Sequence, residues 1–175
     1  MFELTNHLVK VKHASPVYEK HGTEGHATGM KIQFVTTVNQ NLLDKFSPTL
    51  KHCLFRAQKT NDQMDMEFDN DGLVIVQHPR LKPAQWDEEF PGYEVMLGAP
   101  GLGFDEPLTF VDVKLDGIAF RPLEGGSVEL AWQLYVHPDS EEFGPIFELV
   151  KNEVELTLTP PKAQAQQQED LADAA

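Results

Sequence analysis

Two short segments far apart in this chain read alike: KFSPTL (Lys45–Leu50) and EFGPIF (Glu142–Phe147). In each, a Phe is followed by a small residue, a Pro and an apolar turn. The likeness extends upstream, where MKIQFVTTV (Met30–Val38) lies over VELAWQLYV (Val128–Val136). Phe34 then matches Trp132 and Val38 matches Val136. With one residue dropped from the following polar segment, Phe46 matches Phe143, Pro48 matches Pro145, and Leu50 matches Phe147. Each copy is preceded by a strand and a connection, so the repeated unit reads as hairpin, short helix, strand. Such a half has one apolar face and nothing of its own to bury it against, so two halves must pack together. The expected fold is mainly β with two short helical segments, its duplicated units packed as a sandwich or a partly open barrel. Phe and Pro in each copy are fold residues on this reading: the ring fills the core and the Pro fixes the bend. Cys53 falls on Val150, an apolar position, and is expected to be a buried thiol.

Period-two alternation marks the strands. Phe2–Val11 alternates with an irregularity, and Met30–Val38 alternates cleanly. Asn39 or Asn41 caps a short helix, and Pro48 divides the helical region into two turns. LVIVQHP is a buried strand stopped by Pro79, and Tyr93–Leu97 is a strand after a turn at Pro91-Gly92. LTFVDVKLDGIAFRPL is a long strand bulged near Asp116-Gly117; Glu124-Gly125-Gly126 turns it into the antiparallel SVELAWQLYV. Asp139 or Ser140 starts a second helix, and EVELTLTP closes the sequence of elements. The organisation expected is one globular domain over 1–161, with repeated parts at about 2–56 and 107–161. Residues 57–106 supply connecting strands and loops. Residues 162–175, polar and Gln-rich with almost nothing to bury, read as a disordered acidic tail.

Acidic residues outnumber basic ones, 28 to 14, for a formal net charge of -14. That field opposes broad contact with nucleic acid or anionic membrane and suits a partner with a basic surface. No apolar run is long enough to cross a bilayer as a helix, and the first residues lack a signal-peptide core. With a single cysteine there is no internal disulfide and no paired-cysteine metal clamp. Cytoplasmic residence is the expectation.

Catalytic patterns are lacking. None of Ser15, Ser47, Ser127 and Ser140 sits in a GxSxG elbow, and GAPGLG has no Lys-Ser/Thr closure for a phosphate loop. DNDG (Asp69–Gly72) lacks the ligand order and closing Glu of a calcium loop. The weak metal candidates are His21, Glu24 and His26 in HGTEGH, whose spacing matches no strong zinc signature. The chain is therefore expected to be no enzyme and to hold no cofactor. Trp86, in the acidic segment AQWDEEF with Asp87, Glu88 and Glu89, reads as an exposed anchor for a protein partner. Asp170, Leu171 and Asp173 of the tail are further candidates. Single-stranded DNA binding, the alternative, needs cations and stacking rings; its candidates are Lys10, Lys12, Lys31, Arg56, Tyr93 and Tyr135.

EGGSVELAWQLYVHPD and NEVELTLTPP resemble stretches of a group of small bacteriophage and prophage accessory proteins, the likeness covering Phe2 to about Pro161. The resemblance implies an accessory role in a host cytoplasm, near replication or recombination functions, and carries no catalytic signature. The acidic end is similar to that of phage single-stranded-DNA-binding proteins. The expected function is thus a non-catalytic acidic module that binds a host or phage protein and modulates a DNA-processing or defence enzyme. A homodimer through an exposed strand edge is also admitted.

Overall fold

The computed structural model describes residues 3–21, 25–57, 73–99 and 106–161. The elements are β1 (Leu4–His21), β2 (Gly25–Asn39), the 3-10 turn η1 (Gln40–Lys45), α1 (Leu50–Leu54), β3 (Phe55–Ala57), β4 (Leu73–Val76), β5 (Ala84–Trp86), β6 (Phe90–Gly98), β7 (Leu108–Leu123), β8 (Ser127–Val136), α2 (Phe143–Glu148) and β9 (Glu153–Thr159). The fold is mainly β with two short α-helices. Seven strands form one antiparallel sheet in the order β5-β7-β6-β9-β1-β2-β8, and β7 also pairs with β8. That last pairing joins the ends, so β6, β9, β1, β2, β8 and β7 make a closed ring. The closure is partial: β5 has β7 as its one partner, and β1 beyond Lys10 pairs with β2 alone, so both keep an open edge. β3 and β4 form a separate two-stranded sheet.

Alternation along the strands sorts the side chains between inside and outside. In β8, Val128, Leu130, Trp132, Leu134 and Val136 are buried while the residues between them face outward. Phe34 lies opposite Trp132 on β2, and their rings stack at 5.6 Å between centroids and 17° between planes. Leu43 of η1 and Ile146 of α2 belong to the same buried core.

The pairings obey an approximate two-fold relation that matches the sequence repeat. Phe34 and Trp132, equivalent in the alignment of the two segments, are direct partners across β2 and β8. Met30 faces Val136, and reciprocally Val38 faces Val128. The first strand of each hairpin carries bulges at matching places. β1 shifts register between Leu4 and His7, and β7 between Phe110 and Val113. In each the backbone takes a positive φ, at Asn6 (45°) and Asp112 (54°). A second shift falls between Val11 and His13 in β1 and between Asp116 and Ala119 in β7. The third strand of the first half is β6, from the stretch expected to connect the copies. It takes beside β7 the place that β9 takes beside β1, and β6 and β9 meet with Val95 opposite Leu158.

Several local expectations change. β1 continues through SPVYEKH, a segment that reads as a loop, because beyond Lys10 it pairs with β2 alone and Pro16 need not donate on its other side. Pro91-Gly92 is no turn but a register shift within β6, where Gly92 adopts φ 82°. Cys53 is exposed, not buried: α1 is only five residues long, and Lys51 rather than Cys53 occupies its buried position. Lys51 Nζ donates to Asn41 Oδ1 at 2.8 Å. Asn39 caps η1 as expected, whereas α2 starts later than expected, at Phe143, its N-cap Glu142 makes no side-chain cap bond, and Asp139 closes the turn that precedes it. Asn39 Oδ1 accepts from the Asn41 N–H at 2.9 Å, and Asp139 Oδ1 from the N–H groups of Glu141 and Glu142.

A candidate acidic groove at the β7 bulge

One edge of β7 serves two neighbours. Phe90–Leu97 of β6 pairs along Leu108–Leu115, and β5 pairs Ala84 with Phe120 and Trp86 with Ile118. The exchange happens at the Asp116–Gly117 bulge. Gly117 allows it, with φ 60°, a conformation that strains any residue bearing a Cβ. Asp87, Glu88 and Glu89 must bridge β5 to β6 beside this bulge, and all three are exposed. The result is an open groove of about 510 Å³ lined by Trp86 to Glu89 together with Asp116, Gly117, Gln133 and Lys31.

Trp86 differs from the expected free anchor. It is half-buried, its ring packed edge-on against Phe46 (5.8 Å) and Phe120 (6.5 Å), and its Nε1 donates to Glu88 Oε2 at 2.8 Å. One edge is thus fixed in the fold while its neighbours face solvent, giving the groove a rigid wall. Lys114 crosses the carboxylates, at 3.2 Å from Glu89 Oε1 and 3.4 Å from Asp116 Oδ2. Its pKa is raised, first by the hydrogen bond to Glu89 and then by Asp116, so it stays cationic. The groove therefore sets four carboxylates against two lysines and remains net acidic.

The DNA-binding candidates do not converge. Lys10 and Lys12 are exposed on β1, Lys10 opposite Val35 and Glu153. Arg56 is on β3, opposite Ile75 in the separate small sheet. Tyr93 is fully buried and cannot stack on a base; burial, and then the Glu3 charge, push its pKa up to about 12. Tyr93 shares the inward face of β6 with Val95 and Leu97, a phase that alternation along YEVML already carries. Only Lys31 and Tyr135 meet, as partners across β2 and β8. Tyr135 is half-buried on the outer face and lies over Gly29, where any Cβ would coincide with its hydroxyl.

Glu24, Asp170, Leu171 and Asp173 lie outside the described residues, as do the side chains of His21 and His26. Among the described residues no group of three His, Cys, Asp or Glu side chains is placed to hold a metal ion. No described helix is long and apolar enough to cross a membrane. Sequence reasoning missed Asp116 and Gln133 as groove residues, and Lys114 as the cation bridging Glu89 and Asp116. The bulge expected at Asp116-Gly117 was the available signal, but the neighbour across it follows only from topology.

No protein-family model, no curated protein and no solved structure matches this chain.

Proposed function

We propose that the protein is a non-catalytic binding module whose acidic groove engages a basic segment of a partner protein. The observation that carries this reading is the convergence of Asp87, Glu88 and Glu89 with Asp116 at the β7 bulge, beside a Trp held rigid by the core. Clustered carboxylates can accept charge-assisted hydrogen bonds from Arg or Lys, and the packed Trp86 beside them offers a ring that is already ordered. Exposed pairs are individually weak, ~0.2–1 kcal/mol each, so binding depends on several acting together and is salt-sensitive. A role in modulating a DNA-processing or defence enzyme rests on the resemblance to phage accessory proteins.

Trp86 reports the event directly, since the only other tryptophan, Trp132, is buried in the core. A short Arg/Lys-rich peptide is expected to shift Trp86 emission, and about 1 M salt, with a screening length near 3 Å, to suppress the shift. The variant D87K/E88K/E89K should lose the response. An unchanged response in that variant overturns the assignment. Binding of labelled single-stranded DNA, weakened by salt, would instead favour the DNA-binding alternative.

A further inference from the structure

A second cavity, of about 410 Å³, meets β5 at Ala84, whereas the groove meets it at Gln85 and Trp86. Its walls come from α1 (Cys53, Leu54), the turn after β4 (His78, Leu81, Lys82), Ala84 of β5 and Pro122 of β7. The turn is tied to α1 by the Gln77 N–H, which donates to the Leu54 carbonyl at 2.9 Å, and is closed by Leu81 N–H to His78 O at 3.1 Å. The walls are thus built by the fold.

The α1 and turn segments that build these walls carry no carboxylate. In a chain with 28 acidic residues, none occurs between Asp44 and Asp62 or between Asp71 and Asp87. The walls from α1 and the turn belong to those two stretches. The rim carries Lys82 and His78, and Arg80 lines the adjoining hollow with His78 and Leu81. Apolar walls beneath a cationic rim are complementary to one kind of ligand. We propose that this pocket binds a small amphipathic anion, an apolar chain or ring bearing a carboxylate, with its apolar part against Leu54, Ala84 and Pro122 and its charge toward Lys82 and Arg80. The volume lies within the range of small-molecule sites, about 300–1,000 Å³.

Cys53, the only cysteine and exposed on the pocket wall, allows a direct test on the full chain. Its alkylation by iodoacetamide, a neutral reagent, is timed with octanoate, 1-octanol or octyltrimethylammonium present. Octanoate is expected to slow the reaction at least about tenfold at saturation, with 1-octanol much less effective and the cation without effect. Reversing the rim charge in R80E/K82E, at exposed positions, should raise the octanoate concentration needed about fivefold, as the loss of two solvent-exposed ion pairs implies. No protection by octanoate, equal protection by all three probes, or protection unchanged in R80E/K82E each overturns the proposal. None of these outcomes involves the acidic groove, so the two readings fail separately.

Discussion

At Gly117 the backbone sits at φ 60°, and an added Cβ would stand 3.0 Å from Gln133 Nε2. Gly117→Ala is therefore expected to destabilise the protein by about 1–2 kcal/mol, measured by urea unfolding, and to disturb the groove built on that bulge. Phe34 and Trp132 act differently, through volume. Truncating Phe34 to Ala at the centre of the ring should cost about 3–5 kcal/mol, because neither β2 nor β8 can move inward to fill the space. Tyr93 adds a pH dependence. Its phenol is held neutral, with a pKa of about 12 against an ordinary 10.0, so the unfolded chain gives up this proton first. Its contribution to stability is complete below pH 10 and is lost as pH rises toward 12. Difference absorbance should show a late ionisation near pH 12 that Tyr93→Phe removes, and that variant should flatten stability over the same window.

Elements differ in how far local pattern determines them. β8 was legible residue by residue because one face is buried along its entire length and no proline or bulge interrupts it. β2 extends beyond its apolar run because the β1–β2 hairpin continues past the core, where pairing no longer requires apolar side chains. β5 is only three residues long, and its place beside β7 exists because β6 stops pairing at the bulge. No alternation over three residues can reveal that. The acidic cluster Asp87–Glu89 was legible as a candidate, whereas its convergence with Asp116 and Lys114 depends on strands distant in sequence. The cation set fails for the same reason: on the paired strands β1 and β2, Lys10 lies opposite Val35 and Lys31 opposite Ser15, while Arg56 belongs to the separate small sheet.

Across the whole molecule, each half closes only with the other. β6 pairs with β7 and β9, and β9 pairs with β1 and β6, so the third strand of each half finds a hydrogen-bonded neighbour in the opposite half. A chain cut between Gly98 and Leu108 should consequently give fragments that lack cooperative unfolding alone and recover it when mixed, as followed by circular dichroism. Charge is also arranged on this scale. The net -14 is not uniform: carboxylates crowd the β7 bulge while the α1 wall and the turn after β4 carry none. One small protein can thus present surfaces of opposite preference at the two ends of β5. The central claim is that the acidic groove is the partner-binding surface, and backbone amide shift mapping with the Arg/Lys-rich peptide tests it most directly. The expected result is a contiguous set of shifts at Gln85–Glu89, Asp116, Gly117 and Lys31, collapsing at high salt. Shifts absent from these residues, or centred on β1 and β3 instead, would contradict it.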